Sequence, residues 1–361
     1  MRTGILVFAA LCLVLASLVG CNSSRVEGEI ATMLDELAAR DGFSGAVLVA
    51  RDGEPLLEEA YGLASREYDV ANQIDTKFNL GSMNKMFTAV AILQLVQQGE
   101  LAVDDTIIDH VPGYPNQEVA DQVTIHHLLT HTSGLGDFFT GEYTMASKSR
   151  FRALEDYLPL FVDRPLRFQP GDQRSYSNAG YVVLGLIIEE VAGQSYFDYV
   201  RENIYQPCGM ANTDAYEADK VVPNLATGYS RSIAADGSLS KNLYFHPARG
   251  SSAGGGYSTV GDLLKFSHCL VKHELLSPEL TDLLLEGKVD SPGLDEDSQY
   301  GYGFRVLTVN GQRIVGHGGG APGVCSNLDI FLDLGYTVVV LSNSDHDCHY
   351  VREEIREILS K

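Results

Sequence analysis

The sequence predicts an α+β fold, an α/β sandwich with a helical insertion, whose antiparallel sheet of about five strands comes from both chain ends. Three observations carry this. Short apolar runs joined by hairpin turns fill the first and last stretches of the chain. Apolar residues between about 85 and 285 recur mostly at helical spacing. No internal repeat or low-complexity segment interrupts the 361 residues, which suits one large domain.

Each element follows from local chemistry. Ile30, Met33, Leu34, Leu37 and Ala38 share one helix face. Ser44 to Ala50 is an apolar strand, and Asp52-Gly53 turns it back into Pro55 to Tyr61. Met86 to Val96 is apolar nearly all round, so it is a buried helix, ended by Gly99. Thr124 caps His126 to Leu129, and Ala179 to Val191 is a helix stopped by Gly193. Thr259 and Asp262 form a capping-box pattern ahead of Leu263 to Phe266. Tyr302 to Val309 and Arg313 to Gly316 flank the turn Asn310-Gly311. Leu328 to Leu332 and Tyr336 to Leu341 flank Asp333-Leu334-Gly335, and Tyr350 to Leu359 closes the chain as a helix. The terminal helices then cover one sheet face.

The N-terminus is a targeting segment rather than part of the fold. Arg2 precedes an apolar run from Gly4 to Gly20, a little short of the about 20 residues of a membrane span. The run ends in Leu18-Val19-Gly20-Cys21. A Cys after Leu-x-Gly resembles the bacterial lipobox, which implies a signal peptide over 1–20, lipidation at Cys21, a tether over 21–29 and a domain over 30–361. That places the protein on the periplasmic side of a bacterial envelope, held to the membrane only by lipid; Asn22 fits the outer membrane. An ordinary signal peptide or an uncleaved anchor helix is the alternative.

The net charge is −22, and losing residues 1–20 removes only the charge of Arg2. Such a chain is repelled by nucleic acid and by anionic lipid. Cys208, Cys269, Cys325 and Cys348 remain beyond Cys21 and allow up to two disulfides, with no pairing readable from their spacing.

Three motifs carry chemistry. In Ser82-Met83-Asn84-Lys85, Ser and Lys share a face at the start of the buried helix. Free N–H groups there favour a developing oxyanion, and burial lowers a lysine pKa, which makes Lys85 usable as a base. Ser238 to Lys241 has the same spacing but lies in a polar loop. In Tyr176-Ser177-Asn178, a phenolate held by a lysine could take the Ser82 proton, and Asn178 could bond substrate or Lys85. Tyr114-Pro115-Asn116 matches too, in a proline-containing loop. In His317-Gly318-Gly319-Gly320, small residues at a strand end admit a substrate backbone, with the Gly320 N–H as second oxyanion donor beside that of Ser82.

Together these motifs resemble the serine β-lactamase and penicillin-binding-protein superfamily, in its class C-like branch of esterases, D-amino-acid peptidases and class C β-lactamases. His131-Thr132-Ser133-Gly134-Leu135, Gly254-Gly255-Gly256-Tyr257-Ser258 and Tyr300-Gly301-Tyr302-Gly303 extend the likeness from about 30 to 350. The resemblance implies a β-lactamase/transpeptidase-like fold, a site between sheet and helices, and an acyl-enzyme on Ser82 made without metal or organic cofactor. One departure matters. Penicillin-recognising members usually carry Lys-Thr-Gly where this chain has His317-Gly318-Gly319, so a fixed cation and a hydroxyl are missing. Small esters and D-amino-acid amides or short peptides are therefore the expected substrates. The alternatives are a β-lactamase, a D-alanyl-D-alanine carboxypeptidase, or a lipoprotein that only binds cell-wall peptides.

Other constellations are set aside. Gly250-Ser251-Ser252-Ala253-Gly254 has the G-x-S-x-G pattern but no apolar strand before it and no helix at once after it. His126, His127 and His131 lack the glutamate of a zincin motif. Asp345-His346-Asp347-Cys348-His349 reads as a surface and cap segment.

Overall fold

The computed structural model of the chain describes residues 25–361 apart from Asp41, residues 292–297 and His346. The signal peptide over 1–20, Cys21 and the first part of the tether lie outside the described residues. Among the described residues no helix is long and apolar enough to cross a membrane.

The apolar ends of the chain pair with one another, as the sequence leads one to expect. Strands β1 (Gly45–Arg51) and β2 (Glu54–Tyr61) form a hairpin. Asp52 and Gly53 take φ of 54° and 88°, the left-handed pair that an Asp-Gly turn supplies cheaply. Near the C-terminus come β3 (Val289–Asp290), β4 (Gln299–Tyr300), β5 (Arg305–Val309), β6 (Gln312–Ala321), β7 (Val324–Phe331) and β8 (Tyr336–Ser342). Among the described residues they join in the order β2-β1-β8-β7-β6-β5-β4-β3, eight strands in one antiparallel sheet.

Eight strands exceed the expected five or so. Two of the additions, β3 and β4, are two residues long and too short to show alternation. Residues 302–304 form a bend rather than strand, so β5 starts at Arg305; Gly303 turns there at φ 74°, where a Cβ would lie 2.7 Å from the Lys85 carbonyl oxygen.

Both faces of the sheet are covered, and β1, β7 and β8 are accordingly buried almost throughout. Val47, Val49, Val338 and Val340 face the helices over 25–38 (α1) and Asp347–Leu359 (α5), meeting Ile30, Leu34, Val351 and Ile355. The alternate residues Ala46, Leu48, Val339 and Leu341 face the main core. That core is built on α2 (Lys85–Gln98), α3 (Asn178–Ala192) and α4 (Val260–Val271). Every residue of α2 from Lys85 to Leu95 is buried, and Gly99 ends the helix in the left-handed conformation. The insertion is less helical than the sequence suggests: no helix falls between 206 and 256, where turns and two-residue strands predominate. Disulfides join Cys208 to Cys269 and Cys325 to Cys348.

Candidate active site

Ser82 sits in a 3-10 turn, Gly81–Asn84, that runs directly into α2. The turn is clamped from two sides. Leu80 N donates to Gly256 O, and Gly255 N donates to Gly81 O. On the sheet side Ser326 Oγ donates to Leu80 O at 2.7 Å. A Cβ on Gly319 would lie 2.0 Å from that same carbonyl oxygen, so only glycine lets β6 pass this close. The requirement at Gly319 is therefore packing first.

One turn on, Lys85 is fully buried. Its Nζ donates to Asn178 Oδ1 at 2.7 Å and to the Ala253 carbonyl at 2.5 Å. Asn178 in turn donates from Nδ2 to Asp137 Oδ2 at 2.8 Å. Burial lowers the Lys85 pKa to about 7, and the charge of Asp137 only partly opposes this. The amine is thus close to half neutral at physiological pH.

Tyr176 precedes α3, whose N-cap Ser177 accepts from Gly180 N. The Tyr176 side chain stands beside Ser82, and both line the same cavities. Burial pushes its pKa up, and the neighbouring Tyr300 adds to this. The expectation of a phenolate held by Lys85 is corrected here: the Lys85 ammonium lies 4.8 Å from the centre of the Tyr176 ring, and the phenol stays protonated.

His131 holds Tyr176 from behind. Its carbonyl accepts from Ser175 N at 2.9 Å, and its Nδ1 accepts from Ser177 N at 3.2 Å. Its ring packs 4.2 Å from that of Tyr176, between Tyr181 and Tyr300. His131 makes these contacts from a left-handed backbone, at φ 61°. His126 bonds the Tyr302 hydroxyl and His127 caps its own helix, so the three histidines are spent separately.

His317 is buried inside β6 rather than at a strand end. Its Nδ1 faces the Gly318 carbonyl, which can only accept, so Nδ1 carries the proton and Nε2 accepts from Tyr300 Oη at 3.1 Å. Burial, with Arg305 and Lys85 nearby, drives its pKa well down and keeps it neutral. β5 pairs with β6 only as far as Gly316, which leaves His317 to Ala321 outside that ladder. Gly320 N lies beside Gly81, and a Cβ on Gly320 would meet open space.

Two cavities meet at Ser82, Tyr176 and Gly320. The one of about 460 Å³ is also lined by Arg174, Arg305 and His317. The expected lack of a fixed cation is thus corrected: the guanidinium groups of Arg174, Arg305 and Arg352 all line this cavity, where His317 is neutral. The other cavity, of about 230 Å³, is mainly aromatic. Arg174 and Arg305 carried no spacing signal, and the Ala253 carbonyl is a backbone group that any residue would supply.

The decoys fall away. Lys241 is exposed and pairs with Glu67. Tyr114 is buried elsewhere in the main core. Ser252 is buried against Gly185 of α3, with no strand leading to it. Cys348 of the 345–349 segment is bound in a disulfide, and His346 lies outside the described residues.

A Ser-Lys-Tyr cluster with a buried lysine, between an antiparallel sheet and a helical region, defines a serine hydrolase of the β-lactamase and penicillin-binding type. Residues 30–361 match the family described as Beta-lactamase, and the chain belongs to that family. It is 29% identical over 333 residues to penicillin-binding protein 4* of Bacillus subtilis, covering 88% of this chain and 72% of that protein. Among solved structures, a penicillin-binding protein from Bacillus halodurans matches with a TM-score of 0.82 and 34% identity, over 90% of this chain and 99% of the other. The D-amino acid amidase of Ochrobactrum anthropi SV3, solved with L-phenylalanine amide, matches with a TM-score of 0.78 and 25% identity, over 93% and 97%.

Proposed function

We propose that this chain hydrolyses esters and D-aminoacyl amides or peptides through an acyl-enzyme on Ser82. The observation that carries this is the buried Lys85, whose amine is pulled down to about 7 one turn from a serine that shares its cavities with Tyr176. The proton leaves Ser82 Oγ through the Tyr176 hydroxyl. With the phenol pushed up and the amine pulled down, Lys85 is where that proton rests. Asn178 orients the amine. The N–H groups of Ser82 and Gly320 receive the oxyanion, and the free edge of β6 with neutral His317 receives the substrate backbone. We further propose a lipid anchor at Cys21 and a place in the bacterial cell envelope.

A second reading, a D-alanyl carboxypeptidase, is favoured by Arg174 and Arg305 in the larger cavity. They supply the permanent cations that a substrate carboxylate needs. Steady-state hydrolysis of a p-nitrophenyl ester, a D-alanyl amide and a D-alanyl-D-alanine peptide on one preparation tests both. Turnover of the ester or amide that vanishes in Ser82→Ala supports the first. A peptide that outruns both, and slows about ten- to a hundredfold in Arg305→Ala, supports the second. Activity that survives Ser82→Ala refutes both.

A further inference from the structure

The two cavities that meet at Ser82 differ in kind. The larger carries the guanidinium groups. The smaller is walled by Phe138, Phe139, Tyr143, Tyr157 and Phe245, and among the described residues no Asp, Glu, Lys or Arg lines it. Phe138 lies 4.6 Å from Phe139 and 4.8 Å from Tyr157, ring centre to ring centre, and Phe139 lies 5.1 Å from Tyr143. Phe138, Phe139, Tyr143 and Tyr157 form one contiguous aromatic wall, and Phe245 lines the cavity separately. Burial pushes the Tyr143 and Tyr157 phenols up, so they are uncharged. His246, the remaining titratable group besides Tyr176, is kept neutral by burial and bonded to the Pro322 carbonyl.

We propose that this cavity is the acyl subsite and takes the uncharged aromatic or equally bulky apolar side chain of the acyl group; the inference rests on Ser82 being the nucleophile. A carbonyl bound at Ser82 has one substituent in each cavity. A charged leaving portion goes to the arginines, which leaves the aromatic cavity to the acyl side. Size agrees. A dry apolar cavity of roughly 150 Å³ holds benzene, and this one is about 230 Å³. The mouth agrees too. Phe139 is 57% exposed and Phe245 41% exposed, on two separate loops at the rim. Large aromatics left open to water beside a reactive serine gain most when a ligand covers them.

The test compares p-nitrophenyl phenylacetate with p-nitrophenyl acetate, each kcat/KM divided by the ester's hydroxide rate. The leaving group is the same, so the ratio reads the acyl side alone. The expected ratio favours phenylacetate on the order of 10- to 100-fold. Phe139→Ala and Phe245→Ala should each lower that ratio about threefold or more, and both sites are exposed enough for the variants to fold. A wild-type ratio near one, or a ratio unmoved in both variants, overturns the proposal while leaving Ser82 as nucleophile. Failure to hydrolyse phenylacetate at all also overturns it. If a fluorophosphonate then leaves no adduct on Ser82, the nucleophile assignment falls as well.

Discussion

If Lys85 is the proton acceptor, Asp137 controls the pH at which this enzyme works. The amine titrates at about 7 because burial outweighs the attraction of Asp137. Only its neutral form accepts a proton, so kcat/KM should rise with pH and level off above about 7. The neutral fraction is about 50% at pH 7 and about 1% at pH 5, a fall of one decade per unit below the midpoint. A free lysine would be neutral in well under 1% of molecules at pH 7. Replacing Asp137 by Asn removes the charge that favours the ammonium and keeps an oxygen to accept from Asn178 Nδ2. The Lys85 pKa then falls further, the acid limb moves to lower pH, and the variant should outperform wild type in relative activity at pH 5 to 6. The assay is kcat/KM from pH 4.5 to 9 for one uncharged ester, with circular dichroism at each end. A limb that stays put in Asp137→Asn, or moves to higher pH, refutes Lys85 as the base.

Further outcomes follow from the same geometry. Tyr176→Phe should lower kcat on the order of 10²- to 10⁴-fold, whereas Tyr114→Phe, which removes a hydroxyl buried far from the cluster, should leave kcat within about twofold; equal losses would misplace the proton path. Gly319→Ala should abolish activity and lower Tm, because its Cβ would sit 2.0 Å from the Leu80 carbonyl oxygen beside Ser82; a stable, active variant would show that the turn is not pinned there. Cys21→Ser should release the protein from membranes or block its processing; unchanged membrane retention with a cleaved N-terminus would remove the anchor.

The site was legible where chemistry forces residue type and spacing together. Ser82 and Lys85 stand three apart at the head of a helix whose apolar run has to be buried. Asp52-Gly53 and Asn310-Gly311 mark hairpins because left-handed φ is cheap there. Strand count was harder, since Val289–Asp290 and Gln299–Tyr300 are rungs without room for a pattern. Charge at the site was hardest. Arg174 and Arg305 look in sequence like ordinary surface cations, and only the fold brings them to the cavity of Ser82. The state of Tyr176 could not be read either: its burial, which raises the phenol, depends on rings as distant in sequence as His131 and Tyr300. The disulfides were open for the same reason, because spacing says nothing of which Cys the sheet and helices bring together.

The most direct measurement is intact mass followed by peptide mapping during turnover of a slow substrate or after a fluorophosphonate probe. One adduct should form per chain, on the peptide containing Ser82, and it should disappear in Ser82→Ala and slow sharply in Lys85→Ala. An adduct on Ser252 or Ser238 instead, or catalysis with no adduct on any serine, would contradict the assignment.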